Sequence, residues 1–407
     1  MLTRDDLTAL FRIGVQAADP RAAVKCALRA HPLPDHGRLH VLALGKAACA
    51  MTEAALTTLP RPAQVLVVTN YENATELAGA EVMAAGHPVP DANGERAARA
   101  AEAVLAEAGA QDHVLVLVSG GGSALLPAPV EGLSLEDKAE VNRILLSAGM
   151  DIVAMNAVRQ HLSRLKGGGL VRSAHPAPVT ALILSDVIGD DLRAIASGPT
   201  VAPIAPRAQV VEMLRACGVW NRLPQPARTA LTRPEENLPA LSAENRLVGS
   251  NRQSLQAMAQ ARPEASVVEP PLTGDVADAA TRIVRTVEAG TPRLALFGGE
   301  TTVTLRGTGR GGRNQELALR VAMALAGRPG WRLLSGGTDG RDGPTEAAGA
   351  IVDGETVARI HAAGGDAQVL LDNNDSHKAL GLAGDLLITG ATGTNVADLQ
   401  ILTLGHA

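Results

Sequence analysis

The stretch that decides the fold is "HVLVLVSGGGSALLPAP" at residues 113–129, where an apolar run ends in three glycines and a serine. A continuous rather than alternating apolar run predicts a strand buried on both faces, as in a parallel sheet. Gly120, Gly121 and Gly122 allow main-chain N–H groups to approach a ligand, and a helix opening near Ser123 would present its positive end. The turn is therefore either an anion-binding cradle or a plain connector.

The same pattern recurs in the first half of the chain. Apolar runs at 40–45, 64–70 and 179–190 are each followed by glycine or small polar residues and then by a helical pattern. Strands of this kind separated by helices predict an α/β fold, with an N-terminal doubly wound, mostly parallel sheet. In such sheets ligands bind at the carboxyl ends of the strands.

A second group of short strands follows a proline-rich and charged connection that begins near residue 222. These strands are predicted at 245–251, 265–270, 293–305, 331–340, 348–353, 385–395 and 399–405. The piece "ETTVTL" follows "LALFGG" without room for a crossover helix, so we expect it to turn back as an antiparallel strand in a mixed sheet. The chain is predicted to form two domains, residues 1–235 and 240–407, with the active site in the cleft between them.

Composition narrows the classes of partner. The net charge is −5, no basic run is dense, and only five residues are aromatic, which argues against nucleic-acid binding. No apolar stretch reaches the roughly 18 residues of a membrane span, and the N-terminus lacks a signal-peptide core, so we expect a cytoplasmic protein. Cys26, Cys49 and Cys217 are far apart and are predicted to be reduced, mostly buried thiols. The expected partners are small molecules, with the protein a monomer or homodimer.

Several charged residues follow predicted strands. Lys46 stands at the start of a helix, where its charge is unfavourable against the helix dipole unless it meets an anion; a solvated lysine is the alternative. Asp186 and Asp190 follow the strand in 179–190, a position that suits Mg²⁺ with phosphate oxygens and water, or simple turn and capping chemistry. Asp339 lies among glycines after a later strand, with the same two interpretations.

Two basic stretches are candidates for binding anions. "NAVRQHLSRLKGGGL" at 156–170 reads as one helix carrying Arg159, Arg164 and Lys166 and closed by glycines, although basic residues near a helix C-terminus are favourable without any ligand. In "LFGGETTVTLRGTGRGGRNQELALR" at 296–320, Glu300 ends a strand, and Arg313 precedes a helix that starts near Asn314. Arginines in a glycine-rich loop suggest a planar anionic partner, a carboxylate or a phosphoryl group.

Several common motifs are absent. The sequence has no GxxxxGK[ST], no GxGxxG followed by an acid about twenty residues on, and no CxxC pair, HExxH or GxSxG. Walker-type nucleotide binding, dinucleotide binding, zinc chemistry and serine-hydrolase chemistry are therefore not indicated.

Taken in order along the chain, the motifs resemble the glycerate 2-kinase family, whose members have an N-terminal Rossmann-like domain and a C-terminal MOFRL domain. The motifs are "LGKAA", "GHPVPD", "VSGGGSALL", "NAVRQHLSRLKGGGL", "SDVIGDDLRAIASGPT", "GGETTV", "GGRNQELAL" and "GTDGRDGPTEAAGA". The resemblance implies ATP-dependent phosphorylation of D-glycerate to 2-phosphoglycerate with Mg²⁺. It also implies that Lys46 and Arg313 are the important basic residues, which agrees with the need of phosphoryl transfer for positioning and charge neutralisation.

The remaining roles are hypotheses. Lys46, Arg313 and Asp186 are expected to be catalytic, and Gly120, Gly121, Gly122 and Ser123 to hold either nucleotide phosphate or the glycerate carboxylate. The expected substrate-binding residues are Arg159, Lys166, Glu300 and Asn314. The expected Mg²⁺ ligands are Asp186, Asp190 and Asp339, and His87 in "GHPVPD" either touches substrate or belongs to a tight loop.

Two other functions stay open at this point. Members of the family have also been named hydroxypyruvate reductases, which predicts an NAD(P)H-dependent enzyme acting on a similar small acid; the missing dinucleotide motif counts against it. A non-catalytic sensor of sugar acids or phosphate is the third possibility, because α/β clefts also serve as binding modules.

Overall fold

The computed structural model describes residues 1–234 and 242–405. Its strands are β1 (Leu39–Leu44), β2 (Gln64–Asn70), β3 (Glu81–Ala85), β4 (His113–Val118), β5 (Val179–Leu184), β6 (Glu244–Gly249), β7 (Ser266–Val267), β8 (Leu272–Asp275), β9 (Leu294–Thr302), β10 (Trp331–Gly337), β11 (Gly349–Asp353), β12 (Leu386–Leu387) and β13 (Asp398–Leu404).

The helices are α1 (Arg4–Ala17), α2 (Pro20–Ala30), α3 (Ala48–Leu56), α4 (Ala92–Ala106), α5 (Gly122–Leu125), α6 (Leu135–Ser147), α7 (Ile152–His161), α8 (Gly169–Ala174), α9 (Arg207–Ala216), α10 (Gln225–Thr232), α11 (Asn251–Ala261), α12 (Val276–Ala289), α13 (Arg313–Ala324), α14 (Thr356–Ala362), α15 (Ala367–Asp372) and α16 (Ser376–Ala383). Two compact units contain them. One is Pro20–Val248, and the other joins Met1–Asp19 to the residues from Gly249 onward.

The first unit contains a six-stranded sheet in the order β3-β2-β1-β4-β5-β6. Strands β1 to β5 pair in parallel, which confirms the predicted doubly wound α/β architecture. All six residues of β4 are buried, as the continuous apolar run predicted. Consecutive strands run outward from β1 to β2 and β3, and the chain then crosses back to β4. The strand order therefore reverses between β1 and β4, which is where doubly wound sheets open a ligand crevice.

The second unit contains a mixed sheet in the order β12-β11-β10-β13-β9-β7, with β8 also paired to β9. Strands β7 and β8 are parallel to β9, whereas β13 and its neighbours are antiparallel. The mixed sheet was predicted, but the antiparallel return at 300–305 was wrong. Strand β9 continues through Glu300 because Gly299 pairs with Asp398 of β13 and the next residues pair with β8.

The structure contradicts two other expectations from the sequence. The strand predicted at 245–251 as part of the second set is β6, the last strand of the first sheet. Cys26 and Cys217 are exposed and only Cys49 is buried, so the expectation of mostly buried thiols was wrong, although all three are free. No helix in the described ranges is both long and apolar enough to cross a membrane.

The N-terminal helix α1 packs in the second unit. Leu7, Leu10 and Phe11 are buried with residues of α11 and β13, and the Phe11 ring lies over Gly336 of β10. The sequence placed residues 1–235 in the first domain, so the observed unit differs at its N-terminus. The predicted boundary between 235 and 240 lies outside the described residues, and it stays a prediction, as does the cleft between the domains.

We predict that Phe11→Ala lowers the free energy of unfolding of the second unit by about 3–5 kcal/mol, because it removes a fully buried ring. A Trp220→Phe background leaves the buried Trp331 of the second unit as the fluorescence reporter in urea unfolding. The exposed neighbour Arg12→Ala is the matched control. An unchanged Trp331 midpoint in Phe11→Ala would show that α1 does not support this unit.

Candidate active site

Two loops meet where the strand order reverses. The Lys46 N–H, after β1, donates to the Gly120 carbonyl, after β4, at 2.9 Å. The Ala47 N–H donates to Ser119 Oγ at 3.0 Å. The backbone of Lys46 is thereby fixed against the glycine turn, so the two motifs that sequence analysis treated separately form one structure.

The glycine turn is tightly enclosed by side chains. A Cβ on Gly120 would lie 2.1 Å from Asp186 Oδ2, and one on Gly121 would lie 3.0 Å from His87 Cδ2 and 3.3 Å from Lys46 Cγ. Gly121 also has a left-handed φ of +85°, which favours glycine. Residues that follow β1, β3 and β5 therefore surround the turn after β4.

A cavity of about 190 Å³ opens beside this turn within the first unit. Its polar wall consists of Lys138 and Asn142 from α6, Arg159 from α7, and Lys166. The lining also includes His87, Gly121 and Ser123, together with Pro88, Pro90, Ala124, Pro127, Leu135 and Ala139. The cavity has room for a small polar molecule, and its charged wall is cationic.

The two lysines of this wall are buried. Lys166 Nζ donates to the carbonyls of Ser123 at 2.6 Å and Leu126 at 3.1 Å, and Lys138 Nζ donates to those of Pro127 at 2.6 Å and Leu162 at 3.2 Å. Burial, with the charge of Arg159, lowers the pKa of Lys166 to about 7. Burial, with the nearby cations, lowers the pKa of Lys138 well below its usual range.

Arg159 completes the cationic wall. Its Nε donates to Asn142 Oδ1 at 2.8 Å and its Nη1 to Asn156 Oδ1 at 3.3 Å, and burial lowers its pKa. Among the described residues, no carboxylate forms an ion pair with Lys138, Arg159 or Lys166, whereas the neighbouring Arg164 is paired with Glu102 at 2.6 Å. A buried or half-buried basic group is costly to keep charged without an acidic partner, so this wall is suited to an anion supplied by a ligand.

A strained segment connects this wall to the glycine turn. Ala196 and Ser197 have left-handed φ values of +50° and +60°, which cost free energy in residues other than glycine. The Ser197 hydroxyl hydrogen-bonds Ser123 Oγ at 2.8 Å and donates to Asn156 Oδ1 at 3.2 Å. This backbone conformation places the Ser197 hydroxyl between Ser123 and Asn156, so the three side chains form a continuous polar network. Asn156 also accepts a hydrogen bond from Arg159.

The stretch 156–170 is not one helix as predicted. Helix α7 ends at His161, and Arg164 and Lys166 lie beyond it. Ser163 pairs with Pro129 as an isolated bridge, and the Arg164 N–H donates to Ala128, so the chain leaves the helix to run beside the segment after α5. This path brings the Lys166 ammonium to the carbonyls of that segment.

The predicted metal ligands do not form a preassembled cluster. In the described ranges no group of three or more His, Cys, Asp or Glu side chains is placed to hold a metal ion. Asp190 has a left-handed φ of +55° in a turn, and Asp339 Oδ1 accepts the N–H of Arg341 at 3.0 Å. Asp186 lies against the glycine turn. The Mg²⁺ site stays a prediction.

In the second unit, Arg313 is held by two carboxylates. Its Nε and Nη2 donate to Asp398 at 2.6 and 3.0 Å, and its Nη1 donates to Glu300 at 2.7 Å. Burial raises the pKa of Asp398 to about 6, although the charge of Arg313 opposes the shift. The bidentate contact fixes the plane of the guanidinium and leaves N–H groups for a further anion.

The start of α13 is built on a second buried carboxylate. Asp342 accepts the main-chain N–H groups of Asn314 at 3.1 Å and Gln315 at 2.8 Å, and burial raises its pKa. The Asn314 side chain is buried and accepts from Ser335 Oγ at 2.7 Å. This geometry favours a positioning role for Asn314 beside Arg313 over direct contact with a substrate.

Sequence analysis missed Lys138, Asn142 and Asp398. Lys138 stands on the buried face of α6 with Val141 and Leu145, so a lysine at an apolar position of an amphipathic helix was the available signal. Asp398 had no comparable signal, because its importance comes from the pairing of β13 with β9.

Two family models match the chain. One, described as "Domain of unknown function (DUF4147)", covers residues 6–232, and one described as "MOFRL family" covers residues 293–398. The D-glycerate 2-kinase of Thermotoga maritima is 39% identical over 406 residues, which span 96% of each protein. This chain belongs to the glycerate 2-kinase family. The resemblance seen in the ordered motifs is thereby confirmed, and a kinase activity follows from the family.

The fold of this glycerate 2-kinase family member matches a solved relative. The crystal structure of a glycerate kinase from Thermotoga maritima has a TM-score of 0.90 at 37% identity, covering 97% of this chain and 98% of that one. An Agrobacterium vitis protein with the provisional name hydroxypyruvate reductase is 39% identical over 420 residues, 99% of this chain and 94% of that protein. Proteins similar to this chain have thus been named both glycerate kinase and hydroxypyruvate reductase.

We predict that Gly121→Ala lowers kcat/KM by at least about tenfold, because the new methyl group displaces His87 and Lys46 as well as straining the backbone. Gly79→Ala is the matched control. Gly79 has a similar φ of +81° but open space around its Cβ position, so Gly79→Ala strains the backbone in the same way without a steric clash. Equal activity in the two variants would show that the enclosure of Gly121 is unimportant.

Proposed function

We propose that this protein transfers the γ-phosphoryl group of ATP to the 2-hydroxyl of D-glycerate and releases 2-phosphoglycerate and ADP. The observation that carries the proposal is the small cavity of the first unit, lined by Lys138, Arg159 and Lys166, which have no carboxylate partner among the described residues. Glycerate is a small acid with a carboxylate to meet these cations and hydroxyl groups that reach the adjacent glycine turn. Membership of the glycerate 2-kinase family supports the same substrate.

The proposed phosphate-binding part is the enclosed turn. Gly121, Ser123 and His87 line the cavity, and Lys46 lies against Gly121. We propose that the main-chain N–H groups of Gly120, Gly121 and Gly122, with Ser123, bind the phosphate. Burial and the charge of Lys46 lower the pKa of His87, so its ring is neutral near neutral pH. Lys46 then supplies the positive charge at this turn, in place of the lysine of a Walker motif.

In the proposed reaction, the 2-hydroxyl oxygen forms a bond to the γ-phosphorus as the bond from that phosphorus to the ADP oxygen breaks. The hydroxyl proton passes to Asp186, which lies against Gly120. Arg313 is proposed to offset charge on the transferred group, with Asp398 and Glu300 holding its guanidinium in one orientation. The pairing of Arg159 with Asn142 orients the cation that meets the carboxylate.

The proposed metal is Mg²⁺. It normally takes only one or two protein carboxylates together with phosphate oxygens and water, so the absence of a preassembled cluster among the described residues is compatible with it. Asp190 and Asp339 are the carboxylates we propose for it, and Asp186 is reserved for the proton of the attacking hydroxyl. When bound with nucleotide, Mg²⁺ would neutralise phosphate charge.

The test of function is incubation with D-glycerate, ATP and Mg²⁺, followed by enolase. Enolase consumes 2-phosphoglycerate directly, whereas 3-phosphoglycerate requires a mutase first, so we expect an enolase signal without mutase. Hydroxypyruvate with NADH is the parallel assay, and we expect no enzyme-dependent loss of nicotinamide absorbance. Robust NADH oxidation without phosphorylation would replace the kinase by the reductase, and glycerate binding without turnover would indicate a sensor.

We predict that Lys46→Ala and Arg313→Ala each lower kcat by at least about tenfold, a loss of roughly 1.4 kcal/mol of transition-state stabilisation. The exposed Lys378→Ala is the control for Lys46. Near-wild-type turnover in either variant would remove that residue from the mechanism.

Arg313→Ala needs a second variant, because it leaves the buried Asp398 carboxylate without its cation and costs about 3–5 kcal/mol of stability. The double variant Arg313→Ala/Asp398→Asn removes the orphaned charge. We expect it to regain stability while kcat stays low, which separates loss of function from unfolding. Recovery of kcat in the double variant would show that Arg313 acts only through stability.

A further inference from the structure

The amines of Lys138 and Lys166 are satisfied in an unusual way. The Lys166 amine donates to the carbonyls of Ser123 and Leu126, and the Lys138 amine donates to those of Pro127 and Leu162. Both residues are buried, with Lys138 8% exposed and Lys166 4% exposed. A neutral amine has two N–H donors and a lone pair, whereas a protonated amine has three N–H donors. The two carbonyls therefore satisfy both N–H donors of each neutral amine, and protonation adds a third donor that no described protein group accepts.

The charges around Lys166 also oppose protonation while the cavity holds no anion. The groups that face it are Arg159 from α7 and Lys138 from α6, and His87 borders the same cavity after β3. Arg164 is a further cation near Lys138, and its guanidinium is ion-paired with Glu102. Burial and Arg159 keep the pKa of Lys166 at about 7, and burial with the nearby cations lowers the pKa of Lys138 well below its usual range.

A carboxylate in the cavity would reverse this balance. It would accept the third N–H of a protonated Lys166 and would also offset the charge of Arg159, so the charged form of Lys166 becomes favourable. The Asn142 side chain, which accepts from Arg159 Nε, has amide N–H groups for the same ligand. Lys138 keeps its hydrogen bonds to the carbonyls of Pro127 and Leu162 and holds that part of the cavity in place.

Resting on the proposed function, we propose that the carboxylate of the substrate binds at Lys166 and Arg159 and that Lys166 takes up one proton as it binds. The ligand class is a small 2-hydroxy monocarboxylate, and the proton comes from solvent. Lys138 and Asn142 are positioning residues at this subsite. Carboxylate recognition is thereby coupled to pH, and a neutral polyol such as glycerol gains nothing from the protonated amine.

The sign of the pH dependence follows from this coupling. Below the pKa of Lys166 at about 7 the amine is already charged and binding takes up no proton. Above it the proton must be acquired, so affinity for D-glycerate falls by about tenfold for each pH unit. Uptake of protons should therefore rise from near zero at about pH 6 to near one per carboxylate at about pH 8.

The experiment is isothermal titration calorimetry of the full chain with D-glycerate, without nucleotide, in HEPES and in Tris, whose ionisation enthalpies differ. The difference in apparent enthalpy gives the number of protons taken up. Lys166→Arg, which is charged at every pH used, should bind with no uptake, and Lys166→Met should bind at least about tenfold more weakly with no uptake. His87→Gln should keep the uptake of the wild-type protein, which excludes His87 as its source.

Circular dichroism of each variant checks folding, and Lys166→Arg keeps the test informative if Lys166→Met is unstable. Absence of D-glycerate binding, binding without proton uptake, or uptake that persists in Lys166→Arg would overturn the proposal. Proton-linked binding without phosphorylation would contradict the kinase function and leave this subsite intact. Phosphorylation together with binding that takes up no proton would support the kinase function and contradict the proton-linked subsite.

Discussion

Parallel pairing of β1 with β4 is the constraint on which the candidate site depends. Parallel strands bring their carboxyl ends to one edge of the sheet, and reversal of the strand order at this pair leaves that edge open. The loops after the two strands can then hydrogen-bond directly, which fixes Lys46 against Gly120. Asp186 after β5 and His87 after β3 reach the same turn, so four loops distant in sequence form one enclosure.

The electrostatics of the cavity follow from how its polar wall is assembled. The chain leaves α7 to pass beside the segment after α5, and this brings Lys166 to main-chain carbonyls instead of to solvent. Burying a cation without a neighbouring carboxylate is unfavourable. In the first unit, main-chain carbonyls accept hydrogen bonds from Lys138 and Lys166, and burial lowers the pKa values of both lysines. Arg313 in the second unit contrasts with these cations, because two carboxylates hold it in its charged form.

The sequence predicted those features that depend on local pattern. The buried strands, the glycine turn after β4, the helix at Arg313 and the mixed second sheet all follow from apolar runs and glycine positions. It could not predict that β9 passes through Gly299 without turning, because that depends on pairing with β13 almost a hundred residues away. The role of Asp398 could not be predicted either, because it depends on the same pairing of β13 with β9. The 3.6-residue pattern extended α7 beyond His161, but Ser163 instead pairs with Pro129, and Gly167 and Gly168 further along are left-handed.

The central claim is that the buried cations of the first unit meet the carboxylate of the substrate. A crystal structure of the protein soaked with D-glycerate tests it most directly. We expect electron density for the carboxylate within hydrogen-bonding distance of Lys166 Nζ and the Arg159 guanidinium, with the 2-hydroxyl toward the glycine turn. Glycerate bound with its carboxylate elsewhere, and only water beside these cations, would contradict it.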